Sequence, residues 1–188
     1  MNPRYTRTAM LLHWLVALGL MGTFALGFYM HDLPLSPGKL KFYSWHKWAG
    51  VTLFMLILAR LAWRLTHTPP PLPANMTRAT RFAAHAAHWL LYALMLAIPL
   101  SGWTMSSAQG FQVVWFGVLP LPNLVSKDPA LGELLQQTHQ ILNYTLLALV
   151  IAHVAAALKH HFIDRDTVLT RMLPAGRRKA AAPQISTH

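Results

Sequence analysis

Apolar residues fill four stretches of the chain, and polar or Pro-rich interruptions separate them. A helix that crosses a bilayer needs about 20 predominantly apolar residues. The first run, from about Ala9 to Met30, meets that length and is followed by His31–Lys41, whose prolines and glycine predict a non-helical loop. The second run starts near Trp45-His46-Lys47-Trp48 and ends at Arg60-Leu-Ala-Trp63-Arg64. A proline-rich connector after Thr66 predicts extended backbone. The third run, from about Arg81 to Met105, contains Pro99 and is expected to kink there. Gly110–Pro122 is apolar but short and broken by prolines, so it is expected at the interface or folded back over a bundle. The fourth run, Gln137–Leu158, is followed by Lys159-His-His-Phe-Ile-Asp-Arg-Asp166 and a basic tail. The pattern predicts an all-α integral membrane four-helix bundle over residues 1–174, with 175–188 as a basic tail.

Composition agrees with that reading. Only 11% of the residues are charged and 54% are hydrophobic, whereas a soluble domain has about a quarter charged residues. Arg4 and Arg7 precede the first run as they would a signal peptide's apolar core. That run continues for about twenty residues without a small-x-small cleavage site, which predicts a retained span. Cysteine is absent, excluding disulfides, thiolate clusters and thioether-linked haem.

A net charge of +11 would suggest nucleic acid in a soluble chain. Here its distribution sets orientation instead. The N-terminus, the second connection and the tail carry twelve Lys and Arg residues, against four (Lys39, Lys41, Lys47, Lys127) on the first and third connections. The positive-inside rule then puts both termini in the cytoplasm and implies a lipid partner rather than a nucleic acid.

The histidines carry the chemistry. His139 and His153 are fourteen positions apart on the fourth span, roughly 21 Å along the axis and within about 40° of one face. His46 starts the second span at the outer mouth, as His139 starts the fourth. His13 lies a few residues inside the cytoplasmic end of the first span, at the depth of His153. His85 and His88, at i and i+3 on the third span, share that cytoplasmic side, and depth alone leaves His13 and His88 as rival partners of His153. One imidazole in an apolar helix is ordinarily a hydrogen-bonded packing residue. Four at paired depths fit bis-imidazole haem b, whose iron takes two axial nitrogens from different helices. Zinc fits less well, because the five acidic residues lie in loops or at helix ends. The same absence of embedded carboxylates disfavours a histidine-lined metal transporter. His31, His67, His160, His161 and His188 read as solvated loop or tail residues. A faint repeat sets His13-Trp14-Leu15 with Gly27 and Met30 against His88-Trp89-Leu90 with Gly102 and Met105, 75 positions on.

In these residues the chain resembles the bacterial cytochrome b561 family, four-span di-haem proteins related to the cytochrome b subunits of nickel-iron hydrogenases and formate dehydrogenases. The resemblance covers about residues 4–174. It rests on Leu12-His13-Trp14, His46, Arg60-Leu-Ala-Trp-Arg64, Ala84-His85, Ala87-His88, Trp115–Pro120, the His139/His153 spacing and Ala157–Asp166. It implies two haem b groups, the inner held by His13 and His153 and the outer by His46 and His139, in the bacterial inner membrane with ubiquinone as redox partner. Arg81, His85, His88 and Lys47 are candidate quinone or propionate contacts; Arg7, Arg60, Arg64 and Lys159 are further propionate candidates.

Two functions follow from the resemblance. The first is a superoxide:ubiquinone oxidoreductase, with superoxide oxidised at the outer face. Lys39, Lys41 and Lys47 beside His46 would steer the anion inward. The alternative is a non-catalytic electron carrier, or a membrane anchor for a partner dehydrogenase or periplasmic redox protein. The chain has no dinucleotide-binding glycine motif and no cysteine cluster, so a two-electron donor would be a separate protein.

Overall fold

Each of the four long apolar stretches begins with a short polar side chain that takes over a backbone donor the helix cannot satisfy by itself. Thr6 accepts from the Ala9 amide, Ser36 from Lys39, Thr77 from Thr80 and Asp128 from Leu131. The helices that follow are α1 (Arg7–His31), α2 (Pro37–Thr66), α3 (Arg78–Ala108) and α4 (Pro129–Phe162). All four are long and apolar enough to cross a membrane. The computed structural model describes residues 4–73 and 76–173; the tail expected over 175–188 lies outside the described residues.

Two helices start earlier than the hydrophobic pattern predicts. α2 begins at Pro37, inside the stretch expected to be a loop, and α4 begins at Pro129 rather than Gln137. In both, a proline occupies the first turn, where its missing N–H costs nothing and its fixed φ suits the helix. His46 and His139 therefore sit nine and ten residues inside their helices rather than at their mouths. α3 runs through Pro99 as one helix.

α3 packs along α4 and α1 along α2, while α2 against α3 joins the two pairs. α1 and α4 share almost no backbone packing. They meet through side chains, His13 with His153 and Phe28 with Tyr144, whose ring centres are 6.4 and 6.1 Å apart. A compact apolar core lies at mid-height between the His layers, built on Val16, Leu53, Ile57, Leu91, Met95, Ile98 and Leu146. Leu18, Met55, Leu90 and Ile151 are exposed, as expected of side chains whose solvent is lipid.

Two segments close the ends. At the outer end, β1 (Val114–Trp115) pairs antiparallel with β2 (Leu119–Pro120), Val114 opposite Pro120. The turn between them takes positive φ at Phe116 (51°) and Gly117 (74°); at Gly117 that conformation carries little steric penalty. Three indoles hold this hairpin to the bundle: Trp48 donates to the Val114 carbonyl (2.6 Å), Trp103 to the Pro122 carbonyl (3.0 Å) and Trp115 to the Thr52 hydroxyl (3.2 Å). The stretch expected to fold back over the bundle does so.

At the inner end, residues 163–173 form a strap. Arg4 donates to the carbonyls of Thr170 (2.9 Å) and Leu173 (2.7 Å), Trp14 to that of Met172 (3.0 Å), and Arg171 to that of Pro71 (2.6 Å). The N-terminus, the proline connector and the chain after α4 are thus tied together on one face. One sequence expectation fails here: His160 is not solvated. It lies half-buried in the last turn of α4, its Nδ1 2.6 Å from the Asp166 carboxylate and 3.3 Å from Asp164.

Candidate cofactor site

The fourteen-residue interval seen on α4 recurs on every helix. Fourteen residues after His13 comes Gly27, after His46 comes Arg60, after His88 comes Gly102, and after His139 comes His153. α1 and α3 run from the inner end outward, α2 and α4 from the outer end inward. The outer layer therefore contains His46, His139, Gly27 and Gly102, and the inner layer His13, His88, His153 and Arg60. Fourteen residues is close to four helical turns, so each pair shares a face.

In the outer layer the His46 and His139 ring centres are 6.5 Å apart with planes at 80°. Both rings sit where a neighbouring helix has no side chain. A Cβ on Gly27 would lie 3.4 Å from His46 Cε1, and one on Gly102 would lie 3.1 Å from His139 Cε1. His139 Nδ1 is 2.9 Å from the Ser101 hydroxyl and 3.1 Å from the Ile98 carbonyl, while Ser101 itself donates to Ile98 at 2.8 Å. With the Ser101 proton committed to Ile98, its lone pair accepts from His139 Nδ1–H. That leaves Nε2 as the nitrogen able to bind a metal. His46 Nδ1 is buried and makes no hydrogen bond of good geometry among the described residues.

In the inner layer His13 and His153 have ring centres 6.4 Å apart with planes at 64°. His88 is also there, its ring centre 5.5 Å from that of His153. Two imidazoles on one axis, each with its nitrogen about 2 Å from an iron and about 1.2 Å from its own ring centre, would keep ring centres roughly 6.4 Å apart. The 6.4 and 6.5 Å pairs agree with each other and with that span better than His88–His153 does. Nitrogen donors without carboxylates, a glycine notch behind each outer ring, a buried nitrogen without a well-formed hydrogen bond among the described residues and an α1–α4 seam with little backbone packing suit an apolar macrocycle with bis-imidazole ligation. The residues present fit haem.

Other candidates separate from this set. Arg81 and His85 are exposed on α3. His88 is half-buried beside His153, and Lys47 is half-buried with its Nζ 5.5 Å from the Phe111 ring centre. Lys39 donates to the carbonyls of His31 (3.1 Å) and Leu33 (2.6 Å), and Lys41 lies 5.1 Å over Trp45. Sequence reasoning missed Ser101, which has no local signal. It also missed the roles of Gly27 and Gly102, although the 75-residue repeat already contained both.

The profile of a family described as prokaryotic cytochrome b561 matches residues 4–175. Cytochrome b561 homolog 2 of Escherichia coli (strain K12) is 38% identical over 172 residues, covering 90% of this chain and 91% of that protein. Cytochrome b561 homolog 1 of the same organism is 31% identical over 179 residues, 94% of this chain and 99% of the relative. A protein described as probable superoxide oxidase CybB, from Yersinia pestis, is 27% identical over 132 residues, 70% of this chain and 74% of its own length.

Proposed function

This chain belongs to the prokaryotic cytochrome b561 family, and on that footing we propose that it is a di-haem inner-membrane electron-transfer protein that couples oxidation of superoxide at its outer face to reduction of ubiquinone. Membership of the family implies b-type haem and a multi-pass bacterial membrane protein. The observation that carries the di-haem part of this reading is the stacking of two imidazole pairs of nearly equal separation, 6.4 and 6.5 Å, whose α4 members are fourteen residues apart.

In this reading His46 and His139 hold the outer haem and His13 and His153 the inner one; bound haems would carry single electrons between the two faces. Four axial nitrogens are supplied by three helices, so the cofactors also join α4 to α1 and α2, with which it packs little. Ser101 holds the His139 imidazole in one tautomer. The tryptophan-pinned hairpin covers the outer end and the 163–173 strap the inner end. Superoxide as donor is supported by the likeness to the probable superoxide oxidase. The stoichiometry is two superoxide anions oxidised to dioxygen for each ubiquinone, which takes up two electrons and two protons. His88, half-buried in the inner layer and outside the two matched pairs, is the residue best placed to handle such a proton there.

The experiment is a superoxide pulse delivered to purified protein in vesicles with ubiquinone, while haem spectra and ubiquinol are followed. Reduction of both haems within milliseconds and ubiquinol formed at half the superoxide consumed are the expected results. Haems that stay oxidised, or a protein reduced only when a dehydrogenase subunit co-purifies, would replace this reading with that of a carrier or anchor.

A further inference from the structure

We infer that Arg60 and Arg64 form a carboxylate-binding site at the inner layer, which takes the propionates of the inner haem; this rests on the di-haem reading above. The two arginines stand one turn apart on α2, both half-buried. Arg60 lies at the depth of His153, because α2 and α4 run in the same direction and each places its second residue fourteen positions after its outer histidine. From there its Nη1 donates to the Ala9 carbonyl at 3.0 Å, one turn before His13.

No side-chain carboxylate balances this charge among the described residues. The chain has five acidic residues and all are described. Asp32 meets His31, Asp164 meets Lys159 and His160, and Asp166 meets His160. Asp128 caps α4, and Glu133 is exposed near the outer start of that helix. Among the described residues, no arginine is ion-paired. Arg60 and Arg64 rest on aromatic faces instead: Arg60 lies 6.0 Å over Tyr92, and Arg64 lies 5.7 Å over both Tyr92 and Trp89. Tyr92 is 5% exposed, so this platform belongs to the bundle interior.

A guanidinium presents five donors in a rigid fork suited to carboxylate oxygens. Arg60 uses one hydrogen bond on Ala9, and Arg64 makes none to a described residue. Beside them is a cavity of about 60 Å³ lined by Arg4, Tyr5, Arg60, Trp63, Arg64 and Tyr92. That is far too small for a macrocycle but large enough for a carboxylate, since a water takes about 30 Å³. A charge desolvated within a membrane helix and lacking a carboxylate partner among the described residues points to an anionic ligand. The required ligand is an anionic oxygen group at the depth of the inner imidazoles. A propionate and a lipid phosphate share that chemistry.

The test compares wild type with Arg60→Gln, Arg64→Gln and the corresponding lysine variants, in vesicles of phosphatidylcholine with and without phosphatidylglycerol. Haem count and both midpoint potentials are measured, and the inner haem is identified as the one lost in His153→Ala. Positive charge beside the propionates stabilises the reduced haem. Each glutamine variant should therefore lower the inner potential and leave the outer one in place, and lysine should restore most of the shift in either lipid. Potentials unchanged in both glutamine variants would overturn the inference. So would wild-type potentials that follow phosphatidylglycerol content, with that dependence erased in the variants, since the anion would then be lipid phosphate. If Arg60→Gln does not accumulate, Arg64→Gln carries the test, because it deletes no hydrogen bond to the described protein. A wild-type protein without a Soret band would remove the di-haem reading itself, a result distinct from unchanged potentials.

Discussion

His139 Nδ1 lies 2.9 Å from the Ser101 hydroxyl, which is itself committed to the Ile98 carbonyl at 2.8 Å. An imidazole that donates to an oxygen becomes more basic and favours the oxidised metal it binds. Ser101→Ala should therefore raise the midpoint potential of the outer haem and weaken its retention. Ile98 still accepts at 3.1 Å, so the loss should fall at the lower end of outer-shell effects, about 10-fold. Redox titration and haem loss during detergent exchange measure the two consequences.

The pairing predicts which substitutions act alike. His46→Ala and His139→Ala should remove the same haem, and His13→Ala and His153→Ala the other. Pyridine haemochrome counts should fall from two to one in each case, with the surviving spectrum shared within a pair. His88→Ala should keep two haems, because its ring centre is 5.5 Å from that of His153 rather than 6.4 Å. A count of one in His88→Ala, with two retained in His13→Ala, would exchange their roles.

What could be read from the sequence follows from what each residue needed. His139 and His153 need only one helix and its period, so their shared face was visible as a spacing of fourteen. The His46/His139 match depended on both helices starting at comparable depths. Both start eight residues earlier than the apolar pattern implies, so two equal errors cancelled. Depth could not choose between His13 and His88, because a choice needs distances between helices. The strap was invisible for another reason: Arg4, Trp14 and Arg171 bind backbone carbonyls of Thr170, Met172 and Pro71, and carbonyls carry no sequence signature.

Gly27 and Gly102 should respond differently to one methyl group. Replacing a mid-helix Gly with Ala gains about 1 kcal/mol of helix propensity, whereas overpacking costs about 1–3 kcal/mol. At Gly27 the new Cβ would sit 3.4 Å from His46 Cε1, an ordinary contact, so Gly27→Ala should be neutral or slightly stabilising. At Gly102 the nearest atom is His139 Cε1 at 3.1 Å, on a ring fixed by Ser101. Gly102→Ala should therefore lower the thermal midpoint and shift the outer haem spectrum.

The strap offers a separable stability test. Trp14→Phe keeps an aromatic ring, though a smaller one, and deletes one hydrogen bond to Met172, worth about 0.5–1.5 kcal/mol. Haem count should stay at two, while hydrogen exchange over residues 163–173 accelerates. Loss of the inner haem from Trp14→Phe would mean that the indole supports His13 directly, since their ring centres are only 5.2 Å apart.

Steering of superoxide should depend on one lysine more than on the other two in the cluster. Lys39 is held by the carbonyls of His31 and Leu33, and Lys41 packs on Trp45, so both positive charges already have local roles. Lys47 makes no hydrogen bond among the described residues, stands next to His46 in sequence, and has its Nζ 5.5 Å from the ring centre of Phe111, which precedes the hairpin. Its charge is the one closest along the chain to the proposed outer haem. Fields of this kind act on association rates and are screened beyond about 10 Å at 0.1 M salt. Lys47→Gln should slow haem reduction by superoxide roughly 10-fold at low ionic strength and flatten its salt dependence. Lys39→Gln should change the rate little and lower thermal stability by about 1 kcal/mol, through the loss of two carbonyl contacts at the end of α1. Rates unchanged in Lys47→Gln across a salt series would show that superoxide reaches the bundle without electrostatic guidance from this side chain, and would move the entry point away from His46.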